Sequence, residues 1–238
     1  MQRRILGVGR ELLLISLDNA VLAAAGLRTT DLRYRAGNTV YERGSPAQFI
    51  YVVNTGALCR FRPLHGGRRS ILQFLFAGDG FGYEPGAYHR ETVHALTDSK
   101  VFAAGSNGLE AALGSPRSNV LFAAAARAFF LAEDQTVILR QRTATERTAL
   151  FLLEMQTRLS TSGQIDLPMN RQDISDYLGL RMETTSRAMN EFCRAKIIQI
   201  PEHKPKRIII RDKARLEQLA SDASDFEWWN YRKHGASA

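Results

Sequence analysis

Residues 171–192, RQDISDYLGLRMETTSRAMNEF, constrain the fold more than any other stretch of the chain. Two short amphipathic segments meet at a Leu-Gly-Leu corner and must turn sharply against each other. Asn170 can cap the first segment, with Asp173 in the capping-box position three residues on. Ile174, Tyr177 and Leu178 form its buried stripe. Gly179 stands where φ must turn positive, a conformation that glycine alone adopts cheaply. The second helix is predicted to start near Met182. At about 100° per residue, Glu183, Arg187, Asn190 and Arg194 share one face with Ser186 at its edge, while Thr185, Met189 and Phe192 lie opposite and supply the core.

A helix that is apolar behind and presents Glu, Ser, Arg and Asn in front has the composition of one that enters the major groove of DNA. Arg187 is expected to make a bidentate contact to guanine O6 and N7. Glu183 is expected to accept from cytosine N4–H, and Ser186 to reach a base or a thymine edge. In isolation the same residues also fit a solvated surface helix with a Glu183–Arg187 pair. The charge distribution favours DNA: residues 181–213 hold nine Arg or Lys against four acids, so +5 of the chain's net +8 sits in this one segment. Beyond the second helix, KIIQIPEHKPKRIIIRD reads as two short strands joined by a basic turn, which completes a winged helix-turn-helix. Arg171, Arg181, Asn190, Arg194, Lys204, Lys206 and Arg207 are accordingly expected along the DNA backbone or beside the bases.

Upstream the texture changes. Across 29–115 short apolar runs such as FIYVV, ALCRF and SILQFLF are broken by glycines, the pattern of short antiparallel strands in a compact barrel or sandwich. HGGRR at 65–69 reads as a hairpin turn. From about Ser118 glycine and proline vanish, and 116–142 is predicted as one long helix that is apolar on two sides. One side is expected to rest on the β-domain. The other, Val120, Ala124, Arg127, Leu131, Asp134 and Ile138, is expected to pair with a second copy in coiled-coil fashion. At Asp134 two like charges would face each other and weaken that pairing. Residues 143–224, starting with a helix near Thr145, form the predicted DNA-binding domain. An arm at 1–28 precedes these elements, and an aromatic-then-basic tail at 225–238 follows.

Two cysteines, Cys59 and Cys193, supply neither a disulfide framework nor a metal-ligand spacing, and a reducing, cytoplasmic compartment is expected. Cys59 shares strand parity with Ala57 and Phe61 and is expected to be buried. Cys193 is a candidate redox-sensitive thiol, because cationic neighbours such as Arg194 and Lys196 lower a thiol pKa. No apolar run approaches the roughly 20 residues of a membrane span. His89 and His94 lack a third ligand nearby, so no metal or other cofactor is expected. No nucleophile–base set is legible either, which excludes an enzyme reading.

LPMNRQDISDYLGLRMETTSRAM resembles the DNA-binding signature of the cAMP-receptor/FNR superfamily, and its Glu-x-x-Ser-Arg core resembles that of the FNR/FixK branch. AGNTVYERGSPAQFIYVVNTGALCRF and AGDGFGYE resemble the cyclic-nucleotide-binding β-roll in the order and spacing of their glycines. FGYEPGAYHRETVHALTDSK is similar to FixK-type proteins. The resemblance implies an α+β architecture: an N-terminal β-roll, a long dimerisation helix and a C-terminal winged helix-turn-helix. It further implies a homodimer that binds a TTGAT-type inverted repeat, with Glu183, Ser186 and Arg187 reading each half-site. Control of low-oxygen or nitrogen-oxide responses through RNA polymerase is implied as well, with the loop at Arg62–Arg69 as the exposed basic candidate for that contact.

Three departures refine this expectation. Nucleotide-responsive members hold the cyclic phosphate with a Gly-Glu pair followed by Arg-Ser or Arg-Thr. Here Tyr83 stands at the Glu position and His89-Arg90 replace the Arg-Ser order, so the donors for a buried phosphate are poorly matched. Cluster-binding members carry N-terminal cysteines, whereas none precedes Cys59 here, and two thiolates cannot supply four. An effector-independent regulator is therefore expected; the alternatives are a small effector in the modified roll, or a signalling module that does not bind DNA. Lastly, Arg181 replaces the usual Ser or Thr cap of the recognition helix, a loss of about 1 kcal/mol, and offers a cation to DNA phosphate instead.

Overall fold

The computed structural model describes residues 28–84, 86–105, 143–160 and 163–221, together with positions 129, 132, 135, 136 and 138–140, all of them helical. The arm at 1–28, save Arg28, and the tail at 225–238 lie outside the described residues. The chain divides into two compact units after Gln135, inside the segment predicted as one long helix.

Among the described residues, the first unit contains eight strands: β1 (Thr30–Tyr34), β2 (Thr39–Tyr41), β3 (Phe49–Thr55), β4 (Leu58–Pro63), β5 (Arg69–Leu75), β6 (Gly80–Phe81), β7 (Thr92–Ala95) and β8 (Ser99–Gly105). They form two four-stranded antiparallel sheets, ordered β1-β8-β3-β6 and β2-β7-β4-β5. FIYVV and ALCRF become the inner strands β3 and β4 and SILQFLF the edge strand β5, and their β-branched and aromatic side chains fill the space between the sheets. Tyr41, Tyr51, Val53, Leu58, Leu75, Phe81, Val93 and Val101 make up that core. Burying each large apolar side chain stabilises the roll by about 1.5–3 kcal/mol relative to leaving it in water. The HGG turn joins β4 to β5 as a single 3-10 turn, and Cys59 on β4 is fully buried. Gln135 is buried too, and its Nε2 donates to Ile71 O at 2.8 Å.

The second unit holds α1 (Ala144–Leu159), β9 (Gln164–Asp166), α2 (Arg171–Leu178), α3 (Met182–Arg194), β10 (Ile198–Gln199), β11 (Arg207–Ile210) and α4 (Lys213–Ser221). Thr143 opens α1 with a reciprocal capping box to Glu146. The apolar side of α1, including Leu150, Phe151, Leu153 and Met155, forms the centre against which the other elements pack, with the Phe151 and Tyr177 rings 5.8 Å apart. The wing is a three-stranded antiparallel sheet in the order β10-β11-β9. Two elements here correct the sequence reading. The stretch after the polar break at 160–164 is strand β9 and supplies the wing's third strand, and residues after Asp212 form α4. Both elements are short, and each offers little periodic signal: only Ile165 is buried in β9, while Leu216 and Ala220 anchor α4.

Candidate nucleic-acid interface

The helix pair is fixed from its ends inward. Asn170 Oδ1 accepts from Asp173 N–H and Asn170 N–H donates to Asp173 Oδ2, both at 2.8 Å, so the capping box expected for α2 is present. At its other end Gly179 adopts φ 64° and ψ 35°, and Arg147 Nη1 donates to Leu178 O at 3.1 Å. A methyl group on Gly179 would meet only Leu139 and Arg147 at 3.6 and 3.8 Å. Backbone conformation, not space, is therefore what requires glycine here. Between the helices the buried hydroxyls of Ser175 and Thr185 are hydrogen-bonded at 3.0 Å. Behind α2, Tyr177 donates to Glu154 Oε2 at 3.0 Å while Arg158 pairs with Oε1 at 3.3 Å, so a buried carboxylate ties α2 to α1.

This scaffold holds α3 with Thr185, Ala188, Met189 and Phe192 buried. Glu183, Arg187, Asn190 and Arg194 are exposed and Ser186 is half-buried at their edge, which is the division expected from helical spacing. Among the described residues, no ion pair joins Glu183 to Arg187, and both side chains are exposed. Arg181 occupies the cap position without a side-chain capping bond, leaving the first N–H groups of α3 open to an outside acceptor. The helix ends in a Schellman motif, with Lys196 N–H donating to Cys193 O and Ile197 N–H to Phe192 O. Lys196 holds the left-handed position at φ 57°, the only non-glycine residue among those described to do so. Donors, acceptors and cations thus converge on an open helix face backed by a rigid core, a chemistry suited to base edges and phosphates.

The flanking residues divide. Arg181, Arg194 and Lys204 are exposed. Arg171 is half-buried and donates to Met189 Sδ, and burial lowers its pKa from the ordinary value. Arg207 does not extend freely from the wing. Its Nε and Nη2 hold both oxygens of Asp166 at 2.7 Å, and that pairing pulls the Asp166 pKa down and pushes the Arg207 pKa up. Lys206 Nζ donates to Pro168 O at 3.1 Å. Cys193 is not activated by its cationic sequence neighbours. Burial pushes its thiol pKa up, and the groups that oppose the rise are Arg171 and the Ile200 main chain rather than Arg194 and Lys196.

Of the predicted dimer stripe, Val120, Ala124, Arg127, Leu131 and Asp134 lie outside the described residues. Ile138 is 3 % exposed within the single chain, so its side chain is already covered; among the described residues of this segment, the large apolar side chains Phe129 and Leu139 are exposed, at 60 % and 39 %. In the Arg62–Arg69 hairpin, Arg62 pairs with Glu91 at 2.8 Å and Arg69 lies 5.5 Å over the Phe61 ring, while Arg68 is exposed at the tip. Among the described residues, no cluster of His, Cys, Asp or Glu is arranged to hold a metal ion, and no helix is long and apolar enough to cross a membrane.

Comparison with known proteins gives this geometry a lineage. Residues 31–115 match the cyclic nucleotide-binding domain and residues 146–219 the Crp-like helix-turn-helix domain. The chain is 33 % identical to the nitrogen fixation regulation protein FixK of Rhizobium meliloti, over 70 % of this chain and 77 % of that one. It is 30 % identical to the transcriptional activatory protein AadR of Rhodopseudomonas palustris, over 80 % and 81 %. Among solved structures, FixK2 from Bradyrhizobium japonicum is similar with a TM-score of 0.75 and 38 % identity, covering 81 % of this chain and 98 % of that one. With both domains matched in order and FixK similarity running through most of its length, the chain belongs to the FixK group of Crp/FNR transcription regulators.

Proposed function

We propose that the chain acts in the cytoplasm as a homodimer, without a bound effector, on a TTGAT-type inverted repeat, and that it activates promoters under low oxygen or nitrogen oxides. The observation that carries this reading is the α3 face. Glu183 and Arg187 stand exposed, with Ser186 at their edge, on a helix whose back is locked by the Ser175–Thr185 bond. Arg187 then reads guanine, Glu183 accepts from cytosine, and Ser186 reaches the neighbouring edge. Arg171, Arg181, Asn190, Arg194, Lys204 and Lys206 flank these contacts, while Arg207 acts mainly through Asp166. By sequence spacing Val120, Ala124, Arg127, Leu131 and Asp134 fall at a and d positions of successive heptads, which supports coiled-coil pairing on that stripe. Activation and nitrogen-linked control are supported by the names of the relatives, and Arg68 at the hairpin tip is the candidate contact to RNA polymerase.

Selection of bound duplexes from a randomised pool tests this. The expected outcome is two TTGAT-type half-sites in inverted order, their centres about one DNA turn (~34 Å) apart. Enrichment of a single unrepeated site, or of no sequence, would overturn it.

A further inference from the structure

Between β6 and β7 lies a buried acid that DNA binding does not use. The Glu84 side chain is 3 % exposed, and carboxylates are almost never buried unless paired. Its partners come from the next turn of the same connection. Arg90 donates its main-chain N–H to Oε1 and its Nε–H to Oε2, each at 3.3 Å, and His89 Nδ1 lies 3.6 Å from Oε1. These groups are held in place by the rest of the roll. His89 is 2 % exposed, and its ring stacks on Tyr41 with centroids 3.6 Å apart and planes 6° from parallel. His89 N–H donates to Ser45 O, and Gly44 N–H donates to His89 O. Two residues on, the buried Glu91 is paired with Arg62.

A main-chain N–H and a guanidinium N–H aimed at one carboxylate, beside a buried ring nitrogen that has no hydrogen-bond partner of its own, are groups suited to binding a small oxyanion. Here the oxyanion is part of the chain. The dependence is one-sided, because Arg90 is 63 % exposed and stays hydrated on its own, whereas the carboxylate has no water to return to inside the roll. We propose that Glu84 is a resident anion, filling from within a cradle that would otherwise take a diffusible carboxylate or phosphate, and so holding the His89–Glu91 turn closed. This rests on the effector-independent reading above and gives it a physical basis: the ligand is built in.

Replacing the acid tests the idea. Glu84→Ala is expected to lower the melting temperature and to weaken operator binding by about tenfold, within the usual range of coupling between sites. Sodium acetate or formate should restore both, and sodium chloride at the same ionic strength should restore neither. Arg90→Gln, at an exposed position that leaves packing intact, should weaken binding without acetate rescue. Unchanged binding in both variants would overturn the proposal. So would a loss in Glu84→Ala that acetate, formate and inorganic phosphate all fail to repair, since Glu84 would then be a packing residue only. If Glu84→Ala does not fold, the Arg90→Gln result decides alone. Failure of the wild-type protein to bind DNA without a ligand would sink the effector-independent reading, whereas the cradle is read separately from the acetate-dependent melting of Glu84→Ala without DNA.

Discussion

The hydroxyls of Ser175 on α2 and Thr185 on α3 lie 3.0 Å apart, and both residues are fully buried. This bond fixes the angle at which the exposed face of α3 is presented. Thr185→Val keeps the shape and removes the hydroxyl, leaving Ser175 Oγ with its bond to Arg171 O at 2.8 Å alone. Unfolding in urea should show a loss of about 0.5–1.5 kcal/mol, the usual net contribution of one hydrogen bond. Thr185→Ser should recover most of it. Equal stability of Thr185→Val and the parent would mean that apolar packing alone sets the helix angle.

Two left-handed positions flank α3, and they should respond in opposite directions. Gly179→Ala places a side chain where φ is 64° with room around it, so the cost is conformational, about 1–2 kcal/mol. Lys196→Gly relieves the reverse mismatch at φ 57° and should stabilise by about 1 kcal/mol. Thermal denaturation of the two variants checks the signs, and a destabilised Lys196→Gly would show that the lysine side chain makes up for its backbone strain.

On the wing, charge is divided between an exposed cation and one held in an ion pair. Lys204 is exposed, while Arg207 is held by Asp166. Lys204→Gln should reduce the slope of log affinity against log salt by about one, as for a single lost phosphate contact. Asp166→Asn releases Arg207 and should steepen the slope by a similar amount. Identical slopes in all three proteins would place the wing away from the phosphates.

His89 and His94 give the roll a pH dependence of defined sign. Burial lowers the pKa of both below the ordinary 6.5; Glu84 opposes the shift at His89, and Arg69 reinforces it at His94. A base with a lowered folded pKa binds more protons when unfolded, so stability is complete above the ordinary value and declines as pH falls below it. The melting temperature of the roll should therefore drop between about pH 7 and pH 5, the range of histidine titration. His94→Gln should flatten part of that drop. A parent protein with constant melting across the range would contradict the assignment.

The division of α3 into a buried and an open face was legible because thirteen residues carry several turns of clean periodicity. Asn170, Asp173 and Gly179 were legible because caps and corners have residue-specific chemistry. What the sequence hid follows from the same logic. β9 and α4 bury too few side chains to leave a pattern. The Thr143–Glu146 capping box stands in the letters as T-x-x-E, a pattern too common in polar stretches to mark a helix start by itself. Arg207 reads as a free cation in a basic run, and only the pairing of β11 with β9 brings Asp166 beside it, 41 residues away. Cys193 has cationic neighbours in sequence, yet its thiol answers to burial and to Arg171, which arrives from α2. Ile138 shares a heptad with the seam residues, but its burial within one chain depends on contacts that no single helix encodes.

The most direct test of the whole account is fluorescence anisotropy of reduced, ligand-free protein against a duplex carrying the TTGAT inverted repeat, beside a scrambled duplex at the same salt. The account predicts tight binding to the repeat alone, and weakening by about 1–3 kcal/mol per half-site contact when Arg187 is replaced by alanine. Equal, weak binding to both duplexes would contradict it.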